Sequence, residues 1–146
     1  MKPDAFVKRL DEARIVAAIR EAESRSRGEI RVHVAARPVA DVRAAAEATF
    51  ARLRMAGTAE RNGVLVFLAP ASRTFAVVGD RGIHERVPVG FWEAVAAATR
   101  GELGAGRFTD GIVAAVSAVG EELARHFPRR PDTADRNELP DTVSRD

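Results

Sequence analysis

An apolar run without a polar face is the feature that most constrains how this chain can fold. Residues 63–69, Gly-Val-Leu-Val-Phe-Leu-Ala, have the length of a strand and are apolar at every position, as expected of a central strand covered on both faces. Pro70-Ala71-Ser72 follows, and residues 73–79 form a second strand-like run. Because three intervening residues suit a hairpin, the two runs are predicted to pair as antiparallel strands.

The residues before this hairpin predict a parallel partner strand. Residues 29–35 alternate polar and apolar side chains with a period of two, which is typical of a strand covered on one face. A helix predicted between this strand and the hairpin makes a crossover, and such a crossover leaves its two strands parallel. Apolar residues at helical spacing predict helices at about 11–26, 39–56 and 89–103, and from the glycine-rich break at 104–106 to Phe127.

These elements predict an α/β protein with a three-layer-like mixed β-sheet, in which a parallel crossover joins an antiparallel hairpin and about four helices flank the sheet. A chain of 146 residues has room for one sizeable core, so we expect a single domain over residues 1–127. Residues 128–146 are polar, contain three prolines and lack periodicity. They are predicted to form a largely disordered tail.

Composition and charge exclude several classes of protein. The absence of cysteine excludes disulfides, thiolate metal sites and a cysteine nucleophile. The 23 basic and 21 acidic residues are interspersed rather than gathered in a basic block, so we expect no nucleic-acid binding. No apolar run is long enough to span a bilayer, and the N-terminus lacks the apolar segment of a signal peptide. We therefore expect no membrane span and a cytoplasmic location.

Polar residues near the ends of the predicted strands form the strongest candidate site. If the turn centres on Ala71, Asn62 lies opposite Asp80 across the hairpin. Glu29 begins the parallel strand and so lies at the same end of the sheet, and Glu85 follows in the adjoining loop. Oxygen donors of this kind are the ligands of calcium and magnesium. The sequence therefore predicts a metal site formed by Glu29, Asn62, Asp80 and Glu85.

Two arginines at the same end of the sheet leave other interpretations open. The same register places Arg61 opposite Arg81. These guanidinium groups could pair with the acids in ordinary surface salt bridges, and Asn-Gly and Gly-Asp pairs are common in turns. Alternatively, Arg61 and Arg81 could bind a phosphate beside metal ions that activate water. That alternative is a metal-assisted phosphatase, for which the sequence supplies no evident nucleophile.

Several spaced motifs resemble the TPM domain family, whose name comes from thylakoid-lumen, photosystem II repair and acetylcholine-receptor-associated members. The resemblance covers roughly residues 11 to 141 and keeps the motifs in order. It implies a central sheet flanked by helices, divalent-cation binding, especially of calcium, and weak acid phosphatase activity in some members. The motifs are GEIRV at 28–32, RNGVLVFLAP at 61–70, Arg73, VGDRGIHE at 78–85, FW at 91–92, GI at 111–112 and NELPD at 137–141.

The resemblance also assigns roles by position. Asn62, Asp80 and Glu85 match loop residues of the family, and Glu29 matches an acidic position common in its soluble members. This implies a calcium-binding accessory or interaction module, with magnesium as a further cation and an acid phosphatase acting on phosphomonoesters as the alternative function. In the NELPD motif Leu139 lies between acids, which predicts that the tail docks on its own domain or on a protein partner.

Overall fold

A mixed four-stranded sheet with helices on both faces is the centre of the computed structural model, which describes residues 1–129 and 141–146. The strand order within these residues is β3-β2-β1-β4, and this confirms the α/β class predicted from the sequence. The strands are β1 (Glu29–Val34), β2 (Gly63–Ala69), β3 (Thr74–Gly79) and β4 (Ser144–Arg145). The helices are α1 (Pro3–Lys8), α2 (Glu12–Arg25), α3 (Val42–Arg52), α4 (Arg81–His84), α5 (Phe91–Gly104) and α6 (Phe108–His126).

Strand β2 is buried along its whole length, as its uninterrupted apolar sequence predicts. Its side chains alternate between two cores. Val64 and Val66 pack in the larger core with the apolar faces of α2 and α6, whereas Leu65 and Phe67 pack in the smaller core with Phe50 of α3. β1 lies parallel to β2 and β3 lies antiparallel to it, so the predicted crossover and hairpin are both present.

The register of the hairpin differs by one residue from the expected one. Asp80 lies opposite Gly63 rather than Asn62, and the amide of Asp80 donates to the carbonyl of Gly63 at 2.9 Å. The connection between the strands has four residues, because a 3-10 turn over Pro70–Ser72 is followed by Arg73 with a left-handed φ of 52°. The expected pairing of Asn62 with Asp80 is therefore wrong, and the predicted pairing of the two arginines is wrong with it.

A short strand near the end of the chain was not predicted from the sequence, which indicated a tail without regular structure. β4 pairs in parallel with β1, with Ser144 opposite His33. Asp146 anchors it, since its carboxylate lies 2.7 Å from Nε2 of His33, accepts from the amide of Ala36 at 2.9 Å and pairs with Arg52 at 3.0 Å. Residues 130–140 lie outside the described residues, so the docking of Leu139 stays a prediction.

Replacing Asp146 should measure how firmly β4 is anchored. We expect Asp146→Ala to lower the free energy of unfolding by about 2 kcal/mol, because His33 is only 1% exposed and would lose the partner of its Nε2. Urea denaturation at neutral pH measures this change. The matched control is Asp4→Ala, since Asp4 pairs with Arg145 of β4 but has an 84% exposed side chain. Equal losses in the two variants would contradict the anchoring role.

Candidate functional site

At one end of the sheet, the starts of β1 and β2 lie next to the end of β3. We call the residues at this end the rim: Glu29, Arg61, Asn62, Asp80 and Glu85. Glu29 begins β1 and pairs in register with Gly63 at the start of β2. Asp80 follows the end of β3 and hydrogen-bonds to the same Gly63. The backbone positions of Glu29, Asn62 and Asp80 therefore converge. Their side chains, however, have different partners.

Asp80 is paired with an arginine inside the rim. It is 7% exposed, and its two carboxylate oxygens accept from Nε and Nη2 of Arg61 at 2.7 and 3.0 Å. One of these oxygens also accepts from the amide of Arg81 at 2.8 Å and so caps α4. The hydrogen bonds to Asp80 raise the pKa of the Arg61 guanidinium. The salt bridge that the sequence left open as an alternative is present here, and it occupies one of the two arginines predicted to bind phosphate.

Asn62 links the starts of β1 and β2 and carries a buried oxygen. The residue is 1% exposed. Its side-chain Nδ2 donates to the backbone carbonyl of Arg27 at 3.1 Å. Its backbone carbonyl accepts from the amide of Glu29 at 3.4 Å. Within residues 1–129 and 141–146, Oδ1 of Asn62 has no hydrogen-bond partner. A buried acceptor in this state costs roughly 1–3 kcal/mol, so this oxygen suits a ligand that supplies positive charge.

Glu29 belongs to an acidic cluster that the sequence analysis missed. It is 3% exposed and hydrogen-bonds to the side chain of Glu23 in α2, which also hydrogen-bonds to Asp141. Oε2 of Glu23 accepts from the amide of Ile30 at 3.0 Å. Burial, aided by the neighbouring acids, raises the pKa of Glu23 to about 10. Glu23 is therefore protonated at neutral pH. It lies on the same helix face as Ile19, four residues earlier, and this spacing was the available signal.

The last two predicted site residues are exposed on the outer side of the rim. Arg81 begins α4 and Glu85 follows its end, and in the described part of the chain neither side chain makes a hydrogen bond or ion pair. No group of three or more His, Asp or Glu side chains within that part is arranged to hold a metal ion. The four predicted ligands, Glu29, Asn62, Asp80 and Glu85, thus share one end of the sheet but do not form a preassembled cage.

Comparison with known proteins agrees with this architecture, a small mixed α/β domain. The family model described as TPM domain, with the short name TPM phosphatase, matches residues 2–122. The chain therefore belongs to the TPM domain family. It is also similar to the BA42 protein of the psychrophilic bacterium Bizionia argentinensis, solved by NMR, with 38% identity over 92% of each chain and a TM-score of 0.83. No curated protein matches the chain significantly.

No helix among the described residues is long and apolar enough to cross a membrane. The longest is α6, Phe108–His126. Its buried face carries Ile112, Val116 and Val119 and contributes to the larger core, while Glu122 and Arg125 interrupt its apolar character. α6 packs against α2 and α5.

Proposed function

We propose that this TPM domain is a divalent-cation-binding accessory module whose site is the rim and whose cation is calcium, with magnesium as a competing ion. The observation that supports this most is Oδ1 of Asn62, a buried amide oxygen without a hydrogen-bond partner in the described residues. Amide and carboxylate oxygens are ligands that calcium takes. Asn62 directly precedes β2, at the end of the sheet where Glu29 begins β1 and Asp80 follows β3.

The charge for such a site comes from Asp80 and Glu29, with exposed Glu85 at its outer side. Bound calcium would supply a positive charge next to these acids. Arg61 already supplies one to Asp80 through two hydrogen bonds, so a cation has to compete with an internal partner. The Arg61 side chain is 36% exposed, whereas that of Asp80 is 6% exposed. When the pair separates, the more exposed Arg61 side chain can move into solvent. Because a cation must displace it, we expect this competition to lower the affinity for the cation.

The carboxylate of Asp80 can be tested with its charge removed and its shape kept. We expect Asp80→Asn to weaken calcium binding about tenfold or more, because an uncharged ligand replaces a charged one. Amide spectra recorded during calcium and magnesium titrations should show shifts at residues 28–29, 60–63 and 79–82. The matched control is Asp41→Asn, since Asp41 caps α3 as Asp80 caps α4 and asparagine preserves a cap.

Two results would contradict the proposed cation site. One is the absence of any shift near Asn62 or Asp80 when calcium is added to the unmodified protein. The other is an equal loss of affinity in Asp41→Asn, which would trace the effect to overall charge. The cytoplasmic location, the absence of nucleic-acid binding and a protein partner for the tail stay predictions from the sequence.

A metal-assisted acid phosphatase is the second candidate function. It is favoured by the exposed guanidinium of Arg81, which adjoins Asp80 and has no ion pair among the described residues. Arg61, the other predicted phosphate-binding residue, is occupied by Asp80. Turnover of p-nitrophenyl phosphate that requires calcium or magnesium and falls in Arg81→Gln would favour the enzyme. Calcium binding without turnover would favour the accessory module.

A further inference from the structure

A second concavity lies at the opposite end of the sheet from the rim, beside the β2–β3 turn. Its volume is about 360 Å³, within the range of sites for small molecules. Its walls are mainly apolar. They come from α1, the end of β2, the start of β3 and the α5–α6 connection, and they include Phe6, Leu68, Phe75, Leu103 and Phe108. An apolar body of modest size can be buried there.

Positive charge surrounds the opening of this concavity. Arg73 and Arg100 both line it, and both are exposed. The guanidinium of Arg100 lies 5.9 Å from the ring centre of Phe75. Arg9 adds a third cation nearby, 4.3 Å above the ring of Phe108. In the described part of the chain neither Arg73 nor Arg100 has an acidic partner.

Among the described residues, no Asp or Glu lines the concavity to balance these charges. The acids next to the lining in sequence are engaged elsewhere. Glu102 pairs with Arg107 at 2.5 Å, and Asp110 pairs with Arg14 at 2.9 Å. The concavity therefore combines an apolar interior with uncompensated positive charge at its opening, and the ligand that complements both is apolar at one end and anionic at the other.

The backbone of Arg73 is left-handed, which allows its side chain to be tested by substitution with glycine. The residue has φ 52° and ψ 41°, a left-handed conformation that glycine adopts without strain and other residues avoid. Its amide donates to the carbonyl of Pro70 at 3.1 Å, so the turn uses only its backbone. Glycine would serve the turn better. Arg54 and Arg61 share this conformation, so the backbone strain at Arg73 is not by itself evidence of a ligand.

We infer that this concavity binds a small amphipathic carboxylate, with its apolar body among Leu68, Leu103 and Phe108 and its carboxylate on Arg73 and Arg100. Two guanidinium groups suit a carboxylate, because each can donate parallel hydrogen bonds. The inference depends on no residue of the rim. It would hold whether or not calcium binds there.

The test is a titration of the full chain with octanoate, followed by amide spectra and calorimetry. We expect saturable shifts at residues 68–69, 73–75 and 103–108. Octanol, which lacks the charge, and inorganic phosphate, which lacks the apolar body, should each bind at least about tenfold more weakly. Arg100→Gln should weaken octanoate binding by a similar factor.

Arg73→Gly provides the sharpest variant, because it should relieve backbone strain and remove the side chain together. We expect a higher melting temperature and about tenfold weaker octanoate binding. The matched control is Arg54→Gly, since Arg54 is also left-handed, with φ 57°, but lies after α3 and away from the concavity. That variant should gain stability and keep its affinity.

Four results would overturn the inference. They are the absence of saturable octanoate shifts, shifts confined to residues elsewhere in the chain, octanol binding as tightly as octanoate, and equal losses of affinity in Arg54→Gly and Arg73→Gly. The first two would remove the site. The last two would remove the role of the arginine charge that defines its ligand.

Discussion

The free energy of unfolding is expected to fall as the pH rises from about 5 to about 9, by up to about 1.4 kcal/mol per pH unit. The cause is Glu23, whose pKa is raised from 4.5 to about 10, first by burial and then by its hydrogen bond to Asp141. Above pH 4.5 Glu23 loses its proton in the unfolded chain, while in the folded chain it keeps the proton up to a pH near 10. The folded state therefore binds more protons throughout this range, and stability decreases as protons are withdrawn.

Glu23→Gln should remove this dependence. Glutamine is uncharged in both states and retains an oxygen that can accept from the amide of Ile30. The variant should be more stable than the unmodified protein at high pH and should show a flatter profile in urea denaturation at several pH values. Glu21→Gln is the matched control, because Glu21 is exposed on the same helix and pairs with Arg25. An unchanged slope in Glu23→Gln would show that Glu23 is not the source of the pH dependence.

The titration of Glu23 also bears on the proposed cation site, since Glu23 hydrogen-bonds to Glu29 of the rim. While Glu23 is protonated it is neutral, so it adds no negative charge beside Glu29. Because the folded protein loses this proton only near the raised pKa of about 10, Glu23 should strengthen cation binding at the rim only at alkaline pH. Calcium titrations of Glu23→Gln can separate this effect from the ionisation of the ligands themselves, because the variant lacks the additional charge.

The elements that the sequence predicted well are those in which one pattern continues for several residues. β2 follows from an uninterrupted apolar run, and the position of β1 follows from its alternation. The expectation that β1 is covered on one face only was wrong, because Glu29 and His33 are also buried. α6 follows from a long stripe of buried residues at helical spacing. In each case the amount of apolar surface to be buried decides the conformation, and that quantity can be read from the order of the residues.

The parts that the sequence did not predict depend on single residues or on distant contacts. The hairpin register depends on Arg73, whose left-handed backbone adds a fourth residue to the turn, and an arginine there gives no local signal. β4 has two residues and is held by Asp146 through contacts to His33 and Arg52. α4 is a single turn capped by Asp80. Such elements form because the tertiary structure supports them.

The rim likewise has features that the sequence predicted and features that it did not. Strand pairing brings Glu29, Asn62 and Asp80 to one end of the sheet, and this followed from topology alone. The partner of each side chain did not follow from topology, because it depends on a strand register that differs by one residue from the expected one. A shift of one residue in register turns a side chain to the other face of a strand. Asp80 accordingly meets Arg61, while Asn62 points to the carbonyl of Arg27.

A close approach of two backbone segments holds the rim together. The amide of Gly82 in α4 donates to the carbonyl of Arg61 at 2.8 Å. A Cβ atom at Gly82 would lie 2.6 Å from this carbonyl oxygen and closer still to the carbonyl oxygen of Glu60. Both obstacles are backbone, so no side-chain rotation relieves them. Glycine is therefore required here for space, next to the Arg61–Asp80 pair.

Gly82→Ala should consequently have a large effect for a change of one methyl group. We expect it to lower the free energy of unfolding by about 3 kcal/mol, because the loop before β2 must move away from α4. Calcium binding should weaken as well if the rim holds the cation. The matched control is Gly101→Ala within α5, where the added Cβ would have no heavy atom of the described residues within 4 Å apart from its chain neighbours and the helix's own backbone. Alanine should stabilise the helix there by about 0.5–1 kcal/mol. Urea denaturation of both variants measures the contrast, and a Gly82→Ala protein as stable as the unmodified chain would show that the contact between α4 and Arg61 does not support the rim.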